Sequence, residues 1–191
     1  MQQEFFTQLM GLIKPYYEEA HRAYHNWDHP MQMLQLAEKH GIDLSFSQRL
    51  AILCHDLVYI PGHEGNEIAS VKLMQAIIAK HFPLVYREQK AEIEDATTII
   101  MDTVKHVPTI EASKVVIDLD LYRLAVPYEE FRAYGRLVYA ECPYMDEAEF
   151  KQNQIAFFSF MLEKDRLFTS WQLSHLGDSA IANMTEALAN P

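Results

Sequence analysis

The sequence predicts an all-α protein, a single-domain helical bundle, and three observations carry that expectation. Apolar residues recur at helical spacing along most of the chain, sustained two-residue alternation is scarce, and the 6 glycines and 8 prolines fall mostly where helices should stop. At 191 residues the chain has the size of one large domain, able to bury a core without disulfide or metal staples. A hydrophobic fraction of 49%, with 12% aromatics, is what such a core needs.

The periodicity marks helices near 2–13, 29–40, 46–59, 67–81, 86–105, 128–141, 147–163 and 170–188. The first lacks a basic flank and a small-residue cleavage site, so it reads as an amphipathic helix and not a signal peptide. Asp28 is an N-cap for the second, with Pro30 in its first turn and Gly41 closing it, while Met31, Met33 and Leu34 face the core. The third is strongly apolar and ends on His55-Asp56. Asn66 offers the fourth an N-cap after the loop Pro61-Gly62-His63-Glu64-Gly65. The long segment over 86–105 runs out at His106. The run Lys114-Val115-Val116-Ile117 is too short for a sheet and is expected as buried helix. Asp146 opens the helix that contains Ile155-Ala156-Phe157-Phe158-Ser159-Phe160-Met161, whose spacing predicts core packing.

Composition excludes several function classes. No stretch approaches the ~20 apolar residues of a membrane-spanning helix. Cys54 and Cys142 form neither a disulfide framework nor a thiolate zinc pattern, which fits a reducing, cytoplasmic setting. A formal charge of -11 argues against duplex nucleic acid as a partner, although a small anionic substrate stays compatible if a bound cation dominates the local field. Self-association is left open.

Three clusters carry chemistry. In Tyr24-His25-Asn26-Trp27-Asp28-His29 two histidines lie four apart, a spacing that ordinary helix surfaces also show. In Cys54-His55-Asp56 an imidazole and a carboxylate end an apolar helix, a costly placement compensated by a mutual hydrogen bond, a buried network or a shared cation. In Ile117-Asp118-Leu119-Asp120-Leu121 two carboxylates interrupt an apolar run, and that run alone reads as Asp118 capping a helix with Asp120 facing water. Imidazole and carboxylate donors suit Mn, Fe, Co, Ni, Zn or Mg. Cys54 reads as a small buried hydrophobe, His63 as a loop residue that solvent reaches, and His21, His40, His81 and His175 have no partner pattern.

Taken in order as His, His-Asp and Asp, these clusters resemble the HD-domain superfamily of metal-dependent phosphohydrolases, and Tyr24 to His29 resembles the metal motif of cyclic-nucleotide phosphodiesterases. A group of bacterial predicted HD phosphohydrolases is similar over most of the chain, through Arg22-x-Tyr24-His25-Asn26 with His29, His55-Asp56-x-Val58-Tyr59, Asn66-Glu67-x-x-Ser70, Thr103-x-x-His106, Asp118-x-Asp120-Leu121, Phe150, and Asp165-Arg166-Leu167-Phe168. The chain departs from that group at Lys151-Gln152, where a Gly-Arg pair is usual, and at Val138-Tyr139-Ala140-Glu141, where the group has Arg-x-Glu-Tyr.

The resemblance implies an HD-type helical domain over 1–191, with a metal-site core over about 20–125 and C-terminal helices over about 127–189 packed on it. It implies His29, His55, Asp56 and Asp120 as ligands of one or two divalent ions, with Asp118 orienting ligands from behind. It implies catalytic roles for His25 as proton donor, Glu67 as general base and Asp56 as a bridge to a second ion. Arg22, Asn66 and His106 become substrate-binding residues, and the substrate a small phosphoester, a nucleotide or related phosphate. The competing expectation is a non-catalytic metal- or nucleotide-binding sensor. A Glu-Asp pair typical of HD-type alarmone hydrolases is replaced by Leu57-Val58-Tyr59-Ile60, which disfavours that activity.

Overall fold

The computed structural model describes residues 2–190, and among these it is helical with no strand. Ten α-helices follow in order: α1 (Gln2–Tyr17), α2 (Asp28–Lys39), α3 (Phe46–Cys54), α4 (Asn66–His81), α5 (Pro83–Glu88), α6 (Lys90–Thr103), α7 (Glu111–Asp120), α8 (Tyr128–Ala140), α9 (Glu147–Leu162) and α10 (Gly177–Ala189). Single 3₁₀ turns follow α7 and precede α10.

The axis of the fold is α3. It starts at a capping box, with Ser45 accepting from the Gln48 amide while the Gln48 side chain accepts from Ser45, and almost every residue after its first turn is buried. It lies chiefly against α6, with α2 and α7 on its flanks. Leu50, Leu53, Ile99, Ile100 and Val116 fill the contacts between them. Burying each such side chain contributes about 1.5–3 kcal/mol, so α3 is the element the fold can least do without.

Several expected boundaries move. The third helix ends at Cys54, because the His55 ring turns back through Nδ1 to the Ile52 carbonyl (2.9 Å) and the chain then leaves the helical path. Ser70 Oγ meets both the N–H and the C=O of Val58 and so holds the exit strap against α4. The segment over 86–105 divides at Gln89 into α5 and α6. Asp28 is the first residue of α2 and not its cap; Asn26 Oδ1 instead accepts the Asp28 amide at 2.9 Å. Asn66 likewise begins α4, after Gly65 with φ 101. Gly41, with φ 65, closes α2 as expected, Asp146 caps α9 through the Glu149 amide, and Lys114 to Ile117 are helical.

Helix α9 corrects the expectation for the Phe-rich stretch. Phe158 and Met161 are buried, yet Ile155, Phe157 and Phe160 are exposed, because the apolar residues of α9 spread around the helix while only one side meets α10 and, through Phe150 and Phe158, the aromatic side chains of α8. Contacts between α8 and α9 run Phe131 to Phe158, Gly135 to Gln154 and Tyr139 to Phe150, so the two helices are antiparallel with a fixed register.

Candidate metal centre and cleft

Local folding aims each donor inward. His29 sits in the first turn of α2 and is buried, with its N–H bonded to the Asn26 carbonyl. His55 follows the last residue of α3, and the bond from Nδ1 to Ile52 assigns the proton to that nitrogen, leaving the Nε2 lone pair facing inward. Asp120 is the last residue of α7. Nε2 of His29 and Nε2 of His55 are 3.2 Å apart, and Asp120 Oδ1 lies 3.0 Å from the first and 3.7 Å from the second. One donor atom from each of the three residues lies within 4.8 Å of the others. Asp56 Oδ2 closes on the same two nitrogens, 3.1 Å from His55 and 3.7 Å from His29.

This donor set fits a metal ion. Two imidazole lone pairs and two carboxylates crowd one buried point, and without a cation they need protons to avoid mutual repulsion. Burial holds His29 below the ordinary histidine value. Burial works against a charged His55 as well, but the Asp56 and Asp120 carboxylates overcome it and raise that imidazole to about 9. Asp56 and Asp120 resist protonation despite burial: His55 beside Asp56, and His106 and His29 bonded to Asp120, hold both carboxyls below the usual range. A His29, His55 and Asp120 group of this kind could hold a divalent ion, with Asp56 against it.

No protein-family model matches this chain, nor does any curated protein or solved structure.

Around the cluster the other expected residues divide. His106 joins it, with Nε2 3.3 Å from Asp120 Oδ2; its φ of 49 ends the turn after α6 in a left-handed conformation that few non-glycine residues adopt. His25 stands beside it, stacked on Tyr59 with ring centroids 4.0 Å apart and 6.0 Å from the His29 ring. Arg22 does not face a ligand. Its Nε reaches Glu19 and its terminal nitrogens donate to the carbonyls of His25, Asp56 and Leu57, so it braces the two strands of chain that carry the site. Both ends of the Asn66 amide pair with the backbone of Ile60 and close the 60–66 loop. Glu67 is half-buried in the first turn of α4, and no described hydrogen bond or ion pair joins it to the cluster.

Asp118 corrects a further expectation. It touches no histidine; its oxygens accept the amides of Thr169 (3.0 Å) and Ser170 (2.7 Å), so it anchors the C-terminal segment on α7. Two residues apart on a helix lie about 200° apart around its axis, which sends Asp118 and Asp120 to different places.

Two residues to which the sequence reading gave no role belong to the site. Glu141, wholly buried after α8, accepts the amides of Tyr24 (2.7 Å) and His25 (2.8 Å) on one oxygen and His25 Nδ1 (2.7 Å) on the other. Burial alone would raise its carboxyl, but His25 and those amides outweigh it and hold it below the ordinary value. No local pattern marks Glu141, since its partners lie more than a hundred positions earlier. Arg123, by contrast, carried a usable signal as the lone charge in Leu121-Tyr122-Arg123-Leu124-Ala125-Val126. It lines a cleft of about 670 Å³ that opens onto His25, His106 and Asp120 and is walled by α8 and α9.

Proposed function

We propose that this chain is a metal-dependent phosphohydrolase with a single HD-type helical domain, a cytoplasmic enzyme that cleaves a small phosphoester such as a nucleotide. The observation that supports this most is the convergence of His29, His55 and Asp120, with Asp56 against them, because these are the residues on which the sequence resemblance rests. A divalent ion held there supplies a Lewis acid that acidifies water and neutralises charge on a phosphoryl oxygen.

The chain's own groups do the rest. Glu141 accepts a hydrogen bond from His25 Nδ1–H and fixes the ring at the edge of the cleft, where His25, as an imidazolium, would give its Nε2 proton to the departing oxygen. His106 steadies Asp120, and the Arg22 brace keeps His25 and Asp56 at a fixed separation by binding both their carbonyls. Asp56, 3.1 Å from His55 Nε2, would be a further ligand of that ion.

The test is metal content by mass spectrometry on protein purified without a polyhistidine tag, paired with hydrolysis of a phosphoester panel. Wild type is expected to carry about one ion or more per chain and to turn over at least one phosphoester. His55→Ala and Asp120→Ala are expected to lose the ion and more than ~100-fold in rate while circular dichroism stays helical. Wild type that stays metal-free after reconstitution sinks the reading; stoichiometric metal without turnover of any phosphoester leaves a metal-binding sensor.

A further inference from the structure

The cleft between α8 and α9 holds groups that the proposed chemistry leaves unused. In a chain of net charge -11, Arg123 is only 9% exposed and has no carboxylate partner among the described residues. Its guanidinium lies over the rings of Tyr24 (4.4 Å) and Tyr134 (4.2 Å), which meet edge to face, with the Tyr24 hydroxyl in hydrogen-bond reach, and Nη2 donates to Gln32 Oε1. Buried charges are ordinarily paired. Two ring faces, an amide oxygen and the Tyr24 hydroxyl offset part of the desolvation and orient the planar fork, but no carboxylate among the described residues neutralises its charge. Arg123 is three positions beyond Asp120 and lines the same cleft. Arg132 and Arg136, exposed and one turn apart on α8, line it too, as does the Lys151–Glu147 ion pair, so its lining carries more positive than negative side chains. The cleft is therefore a cationic place in an acidic protein.

Its walls are aromatic. Tyr24, Phe131, Tyr134, Phe150, Phe157 and Phe158 face it, and at about 670 Å³ it is far larger than a phosphate group needs. Flat ring faces reward a flat partner, and a planar guanidinium matches a phosphoryl group through paired donors.

We propose that this cleft seats the organic part of a phosphoester that carries a flat aromatic ring, and that Arg123 grips its phosphoryl group beside Asp120. The proposal rests on the hydrolase reading for the word phosphoester, and it assigns the anion-binding role to Arg123 in place of Arg22, whose fork is engaged by backbone carbonyls.

The experiment is titration calorimetry of the full chain supplied with Mn²⁺, using 1-naphthylmethylphosphonate, methylphosphonate and inorganic phosphate, beside hydrolysis of 1-naphthyl phosphate and glycerol phosphate. The naphthyl ligand is expected to bind roughly tenfold or more tighter than methylphosphonate, as one good ring stack provides. Phe157→Ala should shrink that ratio to about threefold or less and leave methylphosphonate unchanged. Arg123→Gln should weaken both phosphonates by roughly tenfold or more, with Arg123→Lys recovering part of the loss. Equal wild-type affinity for the two phosphonates overturns the proposal, and that comparison needs no variant to fold; so does unchanged binding in Arg123→Gln, or a dimer that closes the cleft and excludes the ligand. Ring preference without hydrolysis sinks the hydrolase and keeps the cleft assignment. Equal hydrolysis of both esters without ring preference does the reverse.

Discussion

Asp118 and Asp120 stand two positions apart on α7 and serve different parts of the molecule. Removing the Asp118 carboxylate strands the buried Ser170 amide and the half-buried Thr169 amide, and a stranded buried amide costs about 1–3 kcal/mol, so Asp118→Ala should lower stability in urea by about 2–4 kcal/mol while bound metal stays at the wild-type level. Loss of metal without loss of stability would contradict that assignment. His55 has a pH signature. Its folded-state value is raised to about 9, above the ordinary histidine value, so the charged ring stabilises the metal-free fold fully below about pH 6.5 and that contribution fades as pH rises through 9. Binding a cation requires the neutral ring, hence a proton must leave. Affinity for Zn²⁺, measured by chelator competition, should climb by about tenfold per pH unit from 7 toward 9 and then flatten. A flat profile would show that His55 is already neutral in the empty protein. The buried thiol of Cys54, pushed up by burial, should resist alkylation at pH 8 until the protein is denatured.

At the scale of elements, the α8–α9 pair turns on Gly135. A Cβ there would meet only the Gln154 Nε2 atom, at 3.4 Å, which is the far end of a flexible side chain. Gly135→Ala should therefore stabilise the protein by about 0.5–1 kcal/mol through helix propensity, seen as a higher melting temperature, whereas Gly135→Leu should part the helices and lower it. This pair is also where sequence reading fell short. Periodicity found α9 but could not tell which of its faces receives a neighbour, so Phe157 and Phe160 were assigned to the core although they face the cleft or solvent. The site divides in the same way. His55 beside Asp56 stood out by itself as a costly pair at the end of an apolar helix, whereas His29 and Asp120 became legible as ligands only through the ordered pattern that carries the resemblance, the run Ile117 to Leu121 alone reading as Asp120 facing water. Arg22 and Asn66 were legible as site neighbours and not as braces, since bonds to carbonyls far along the chain leave no local trace. Glu141 was unreadable for that reason too.

For the molecule as a whole, the described residues include no helix long and apolar enough to cross a membrane, and the chain carries a formal charge of -11. The donors also lie far apart along the chain: His29 and His55 are separated by 26 positions, and His29 and Asp120 by 91. An ion shared by them is a cross-link among α2, α3 and α7 that exists only when the chain is folded. The open chain would have to close two long loops at once to hold the same ion, and the entropy of that closure is what makes binding selective for the native state. A free ion at a thousand times its dissociation constant then adds about 4 kcal/mol to stability, and a chelator withdraws it. Availability of the metal would thus set how long each copy of the protein survives proteolysis, whether or not the ion takes part in any turnover.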